Sequence, residues 1–193
     1  MTQASGATQD VPVRERILAA ASRRYYADGI RAASADRLLA EAGVSKVTFY
    51  RYFPTKDDLV VAYLQEASAA ERARVAAQRA AHPDDPVAVL RWYAGAVGQL
   101  ACGPGFRGCL FINAAAELPD GNHPGRAVIA EHRAWLQGQA AELLAELQVR
   151  DPQAKAAQLM MLRDGAMVAG YLGSTPESVA AGLEAAARAV LAG

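Results

Sequence analysis

Apolar residues recur along this chain at helical spacing, and no segment shows the alternation of apolar and polar positions that a half-buried strand requires. In the first segment Ile17, Ala21 and Tyr25 follow one another at intervals of four residues and predict a single buried stripe. Glycines, prolines and short polar turns divide the remainder into further segments of the same kind. The pattern therefore predicts an all-α protein of about nine helices.

Caps and helix breakers set the expected ends of these helices. Asp10 is a possible cap for the first helix, and Ser34, Ser45 and Thr55 can cap the next three. The expected helices cover about residues 11–28, 35–42, 46–53, 56–80, 86–100, 108–118, 126–149, 152–172 and 177–191. The polar residues 1–10 are expected to form a disordered tail.

The short third helix poses a question, because 47-VTFYRYF-53 consists mostly of β-branched and aromatic residues that favour strands. A turn at Gly43 joins it to the second helix, and two short helices joined in this way form the helix-turn-helix arrangement that enters the DNA major groove. At about 100° per residue, Phe49 and Phe53 share a side and can anchor the third helix to the first. The exposed face is then expected to carry side chains suited to phosphates and base edges, namely Lys46, Val47, Tyr50 and Arg51.

The formal net charge is zero over 193 residues, yet the charge is unevenly distributed. Between residues 11 and 56, nine basic residues stand against four acidic ones, and the rest of the chain carries the balancing negative charge. This asymmetry is typical of a nucleic-acid-binding module, although a solvated basic helix face would look similar. Two cysteines, no secretory leader pattern and no apolar run near the roughly 18 residues of a membrane span predict a cytoplasmic protein with no membrane partner.

Two segments, 14-RERILAAASRRYYADGI-30 and 34-SADRLLAEAGVSKVTFYRYFPTKDDL-59, resemble the DNA-binding region of the TetR family of bacterial transcriptional repressors. The resemblance implies a three-helix DNA-binding domain over 11–54 and a helical ligand-binding and dimerisation domain over 55–193, with helix 55–81 connecting them. In that family a small molecule swings the fourth helix and separates the two DNA-reading heads. The resemblance thus implies repression of transcription, relieved by an effector.

The same resemblance implies roles for individual side chains. Lys46, Val47 and Thr48 would face bases or adjacent phosphates, while Arg51 is a weaker candidate for base or backbone contact. The full set of expected DNA-binding residues is Ser34, Ser45, Lys46, Val47, Thr48, Tyr50, Arg51, Tyr52 and Lys56. Three positions depart from the family pattern: Val47 stands where a small residue or proline is frequent, Leu39 where alanine is usual, and Arg24 where an apolar residue is usual.

The remaining chain carries aromatic, sulfur-containing and polar residues that can build a small-molecule pocket, since such sites are mostly apolar with a few orienting polar groups. The effector is unknown, and each of these residues could equally be ordinary core. The expected pocket residues are Trp92, Phe106, Cys109, Phe111, Asn113, Glu117, His132, Trp135, Met160, Arg163, Met167 and Tyr171. No catalytic motif, cofactor motif or metal-ligand spacing is present, so we expect no enzyme activity, no cofactor and no metal site.

Cys102 and Cys109 flank the loop 102-CGPGFRGC-109, which also contains Arg107. A cation close to a thiol favours the reactive thiolate, which raises the alternative that the protein is a thiol-based redox or electrophile sensor on the same scaffold. A cysteine at a helix start can equally be a small buried apolar residue.

Small residues four apart on the last two helices permit close contact between helices and could build a four-helix interface across a two-fold axis. The expected dimer residues are Leu159, Leu162, Ala166, Ala169, Gly170, Gly173, Gly182, Leu183, Ala186 and Ala189. Packing within one chain would produce the same pattern. A homodimer also follows from DNA recognition, because one short helix contacts few bases and a two-fold dimer requires a palindromic double-stranded operator.

Overall fold

A computed structural model describes residues 12–192, and within that range the chain forms nine α-helices and no strand. The helices are α1 (Val13–Asp28), α2 (Ala35–Ala42), α3 (Lys46–Tyr52), α4 (Lys56–Ala81), α5 (Pro86–Ala101), α6 (Leu110–Glu117), α7 (Pro124–Glu146), α8 (Pro152–Tyr171) and α9 (Pro176–Ala192). The all-α class and the number of helices are confirmed. The expected tail 1–10, the cap Asp10 and the start of the first helix at residue 11 lie outside the described residues.

Several helix ends differ from the sequence prediction, most clearly in the sixth and seventh helices. The sixth helix begins at Leu110 rather than near 108, because Gly108 has a φ of 96° and Cys109 is extended. The seventh begins at Pro124, inside the expected loop, because the ring of His123 accepts a hydrogen bond at 2.9 Å from the backbone N–H of Gly125. Its end at Glu146 precedes the expected residue 149.

The chain divides into two compact units, one ending at Tyr63 and the other beginning at Leu64, so α4 contributes residues to both. In the first unit the predicted stripe of α1 is buried, with Ile17 and Ala21 inaccessible and Tyr25 nearly so. The ring of Tyr25 meets that of Tyr63 edge to face at 5.5 Å between centroids. The period of four in the sequence thus identified the core face of α1.

Arg24, the unusual residue on α1, is held by carboxylates instead of being buried among apolar groups. Its guanidinium pairs with Glu41 of α2 and lies 3.3 Å from Asp28. Arg23 also contacts Glu41, at 2.7 Å. The two arginines therefore tie α1 to α2 at the edge of the core, which explains how a charged residue is accommodated at this position.

The second unit packs α5, α7, α8 and α9 against one another, with Ala141, Leu144 and Ala156 forming a buried cluster. Close approach depends on glycine at two places. A Cβ on Gly98 of α5 would lie 2.7 Å from the carbonyl oxygen of Pro176, and one on Gly170 of α8 would lie 2.5 Å from the Cβ of Ala101.

Candidate nucleic-acid interface and effector cavity

Two serine caps and one glycine set the ends of α2 and α3. Ser34 Oγ accepts a hydrogen bond from the N–H of Arg37, and Ser45 Oγ accepts one at 3.1 Å from the N–H of Thr48. Between the two helices Gly43 adopts the left-handed conformation at φ 63°, which glycine reaches without strain. Both predicted caps are confirmed: Ser34 begins α2, whereas Ser45 follows Gly43 in the turn and begins α3.

The aromatic residues of α3 divide into an inner and an outer set. Phe49 is 2% exposed and Phe53 is 3% exposed, so both anchor the helix as predicted. The guanidinium of Arg14, on α1, lies 5.5 Å from the centre of the Phe53 ring. Tertiary burial of these two phenylalanines explains why strand-favouring residues form a helix of barely two turns.

The outer face of α3 is chemically mixed. Val47 is 82% exposed, Tyr50 and Tyr52 are each 39% exposed, and the guanidinium of Arg51 lies over the ring of Tyr52 at 5.3 Å. A single exposed valine is ordinary, but here it lies next to exposed Lys46 and two exposed phenols. The face offers cations, hydroxyls and an aliphatic group, the set that reads phosphates, guanine and the thymine methyl.

All nine residues predicted to contact DNA lie in the first unit, and eight of them are exposed, namely Ser34, Ser45, Lys46, Val47, Tyr50, Arg51, Tyr52 and Lys56. The ninth, Thr48, is half-buried, and its hydroxyl lies 2.9 Å from Ser45 Oγ. At the start of α4, the N–H of Thr55 donates to Asp58 Oδ2 at 2.9 Å and the N–H of Asp58 donates to Thr55 Oγ1 at 3.1 Å. This reciprocal cap already occupies the backbone N–H groups of Thr55 and Asp58. The side chain of Lys56 is therefore the group at the start of α4 that remains suited to a phosphate.

A cavity of about 310 Å³ lies in the second unit, between α5, α7, α8 and α9. Its wall is mostly aliphatic: Val87, Val89, Leu90, Leu136, Leu143, Leu147, Leu159 and Leu191. Trp92, Met160 and Arg163 are the predicted pocket residues that line it. Its size and composition are those of a small-molecule site.

The other predicted pocket residues do not line this cavity. Phe111, Met167 and Cys109 are buried in the packed core, and Tyr171 is 56% exposed at the end of α8. Asn113 donates to the carbonyl oxygen of Arg107 at 2.7 Å. The rest of this set, also outside the lining, comprises Phe106, Glu117, His132 and Trp135.

A buried polar cluster begins at Arg163, on the inner wall of the cavity. Its Nε donates to the hydroxyl of Tyr93 at 3.3 Å, and its Nη1 donates to Asp164 Oδ1 at 2.9 Å and to Cys109 Sγ at 3.5 Å. Burial acts to lower the pKa of Arg163, but the nearby Tyr93 and Cys109 outweigh it and raise that pKa. The guanidinium is therefore permanently charged although the side chain is 5% exposed.

The cluster continues from the cavity to α4. The hydroxyl of Tyr93 donates to Glu71 Oε1 at 2.9 Å, and Glu71 Oε2 lies 3.4 Å from His132 Nε2. Burial acts to raise the pKa of Glu71, but His132, Tyr93 and Arg163 outweigh it and hold the pKa below its ordinary value. His132 Nδ1 lies 3.0 Å from Ser68 Oγ, and its ring stacks on Phe111 at 3.7 Å. Glu71 and Ser68 thus connect the cavity wall to the helix that begins in the first unit.

Neither Tyr93 nor Glu71 stood among the predicted site residues. Glu71 lies in the charged stretch of α4, where a carboxylate is normally a solvated surface group. Only its contacts with residues distant in the chain, Tyr93 and His132, identify it as part of the polar cluster.

The predicted dimer residues are divided by the structure between two locations. A surface groove between α8 and α9 is lined by Leu162, Ala166, Ala169, Gly182, Leu183 and Ala186, and Met161, Val168 and Leu172 are exposed nearby on α8 and at its end. Leu159 lines the cavity instead, as Leu183 also does, and Gly170 is buried against Ala101 of α5. Gly173 and Ala189 are exposed.

Comparison with known proteins gives a consistent picture. The family described as bacterial regulatory proteins, tetR family, matches residues 17–63. SCO4454, a TetR-family transcriptional regulator from Streptomyces coelicolor, is 42% identical over 93% of this chain and 94% of its own, with a TM-score of 0.85. The TetR-type regulator SAV143 from Streptomyces avermitilis is 30% identical over 93% of this chain and 98% of its own, with a TM-score of 0.77.

The reduced form of Escherichia coli NemR shares the fold at 22% identity, covering 92% of this chain and 95% of its own with a TM-score of 0.77. No curated protein matches the chain. Within residues 12–192, no helix combines the length and the apolar composition needed to cross a membrane.

Proposed function

Because this chain belongs to the TetR family of transcriptional regulators, we propose that it represses transcription as a cytoplasmic homodimer bound to a palindromic operator and leaves the operator when a small molecule binds. The carrying observation is that two phenylalanines, Phe49 in α3 and Phe53 directly after it, are buried while Lys46, Val47 and Tyr50 form an exposed face. A helix anchored in this way presents side chains to a groove at a constant orientation, as direct readout of bases requires.

The groove between α8 and α9 supports the homodimer. Its lining is small and apolar, and Met161, at 67% exposed, and Leu172, at 77% exposed, are apolar side chains that a partner helix pair would cover. Two copies related by a two-fold axis would bring their two α3 helices to successive major grooves. The two half-sites of the operator would then lie roughly 34 Å apart, or a multiple of that distance.

Effector release rests on the cavity and on its connection with α4 through Tyr93 and Glu71. A molecule in the cavity that favours one arrangement of this cluster would favour one conformation of the dimer over the other. By thermodynamic linkage, operator DNA must then weaken effector binding by the factor by which the effector weakens DNA binding. Simultaneous, non-interfering binding of both ligands would contradict this mechanism.

We expect Lys56→Ala to weaken DNA binding on every sequence and to reduce the slope of log affinity against log salt by about one unit, because it removes one phosphate contact. Lys46→Ala and Val47→Ala should instead change the preferred bases, at a cost of about 1–3 kcal/mol on the native operator. Fluorescence anisotropy with operator and scrambled duplexes over a salt series measures both effects.

Arg74→Ala is the matched control, because Arg74 is an exposed cation much farther along the same helix as Lys56. Its loss should leave both the affinity and the salt slope unchanged. If Lys46, Val47 and Lys56 variants all lost affinity uniformly across sequences, the division between base-reading and phosphate-binding residues would be wrong.

A second candidate function is thiol sensing, favoured by the contact between Cys109 and Arg163. In this candidate the sulfur of Cys109, which accepts a hydrogen bond from Arg163, attacks hydrogen peroxide and is oxidised to a sulfenic acid while the peroxide is reduced to water. Cys102, the second free thiol, is half-buried and belongs to the same loop region.

For this candidate, Cys109→Ser should abolish the release of DNA by hydrogen peroxide while the affinity of the untreated protein stays the same. Cys102→Ser tests whether Cys102 forms a disulfide with the oxidised Cys109. In that variant the reaction of Cys109 with peroxide should be unchanged, but the disulfide should not form. Anisotropy before and after peroxide treatment gives the answer. A Cys109→Ser protein that still responds to peroxide rules this function out.

A further inference from the structure

The charged residues that line the cavity are mostly of one sign. They are Arg91, Arg163 and Arg188, against Glu184 alone. Glu184 is paired with Arg188 at 3.3 Å, so it does not compensate the other two arginines. Arg91 is exposed at the mouth, whereas Arg163 lies at the inner wall.

The carboxylates near Arg163 lie behind the wall and not inside the cavity. Asp164 is shared between Arg163, at 2.9 Å, and Arg133, at 2.7 Å, so it is not the partner of Arg163 alone. Glu71 directs one oxygen to Tyr93 and the other to His132. Arg163 is therefore the buried charged residue among those that line the cavity.

Arg163 also retains hydrogen-bonding capacity. Its Nε and Nη1 hold Tyr93, Asp164 and Cys109, whereas Nη2 makes no hydrogen bond to any described residue. A guanidinium already held in position by three partners binds an incoming anion with little further loss of side-chain freedom.

The rest of the wall accepts a hydrocarbon. Leucines from three helices line the cavity. They are Leu136 and Leu143 of α7, Leu147 directly after it, Leu159 of α8 and Leu191 of α9. These side chains offer no hydrogen bonds, so a polar molecule of the same size would lose its hydration without compensation.

We propose that the effector is an apolar carboxylic acid whose carboxylate binds Arg163 and whose hydrocarbon lies among the leucines of α7, α8 and α9. This inference rests on the proposed function and names the chemical class of its effector. A carboxylate next to Arg163 also approaches Tyr93, whose hydroxyl otherwise binds Glu71 of α4, so the bound head group acts on the helix shared by the two units.

The test compares octanoate, octanol and octylamine, which share a tail and differ in the head group, by isothermal titration calorimetry on the full chain. Octanoate should bind at least about tenfold tighter than octanol, and octylamine should bind weakest. Equal binding of octanoate and octanol, or tighter binding of octylamine, overturns the proposal.

Variants locate the head group. Arg163→Gln should remove the preference for octanoate while octanol affinity persists, and Arg133→Gln should retain the preference because Arg133 contacts Asp164 and does not line the cavity. If the preference survives Arg163→Gln and disappears in the double variant Arg91→Gln, Arg188→Gln, the head group lies at the mouth and the assignment to Arg163 is wrong.

Ala140→Phe provides an independent measurement should Arg163→Gln fail to fold. Ala140 lines the cavity, so the added ring should weaken octanoate and octanol alike by occupying their site. Unchanged binding of both probes would contradict the choice of cavity.

Operator binding by the unliganded chain tests the proposed function separately. A protein that binds DNA but no acid refutes only the effector class, whereas one that binds octanoate but no DNA refutes the repressor.

Discussion

Replacing Phe49 with alanine is expected to unfold the first unit and to abolish DNA binding. The ring is 2% exposed and is the one fully buried side chain of α3, so its loss should cost about 3–5 kcal/mol. Small domains have stabilities of only about 5–15 kcal/mol, and α3 is too short to persist without its anchor. Hydrogen exchange of the amides of α1 to α3, together with operator binding by anisotropy, measures the effect.

Val47→Ala is the control for that experiment, because it lies two residues away on the same helix but 82% of its surface is exposed. It should leave amide protection unchanged and alter only the preferred operator. A Phe49→Ala protein with normal protection in α1 would show that the buried ring does not hold the helix-turn-helix together.

Gly170→Ala is expected to destabilise the second unit, because the new methyl group would lie 2.5 Å from the Cβ of Ala101 and 2.6 Å from its carbonyl oxygen. Backbone atoms of α5 cannot rotate away as a flexible side chain could, so α5 and α8 must separate. The expected cost is about 1–3 kcal/mol or more, measured as a lower midpoint of chemical denaturation. Arg163 and Tyr93 lie on these two helices, so effector binding should weaken as well.

Gly95→Ala tests whether the effect comes from contact or from helix propensity. Gly95 is half-buried on α5, the helix that Gly170 contacts, and a Cβ there would meet nothing within 4 Å. Alanine should therefore stabilise the helix by up to about 1 kcal/mol. If both substitutions destabilised the second unit equally, the loss of stability in Gly170→Ala would not come from the close contact between Gly170 and Ala101.

The DNA-reading unit was almost entirely predictable, because its determinants are close together in the chain. Ser34 and Ser45 cap the helices that they precede, and Gly43 supplies the left-handed turn between them. Phe49 and Phe53 face inward because a helical period places them on the side opposite Val47. Each of these relations spans fewer than about ten residues and follows from backbone geometry.

The cavity of the second unit was predictable only in part. Trp92, Met160 and Arg163 were among the predicted pocket residues and line it, but apolar periodicity could not separate cavity-lining residues from core residues such as Phe111 and Met167. Both kinds lie on the inward face of a helix, and the difference between them is whether the opposite helix fills the space. Leu159 illustrates the same limit, since it lines the cavity although its spacing suited a dimer interface.

The sequence by itself determined the nine helices of residues 12–192, the helix-turn-helix and the side chains that α3 exposes, because caps and apolar periods act between near neighbours in the chain. Only the tertiary structure decided that Arg163 faces a cavity, that Glu71 is bound by Tyr93 and His132, and that Gly170 lies against Ala101. Those relations depend on distances between residues far apart in the chain, which are set by how whole helices pack and not by any local pattern.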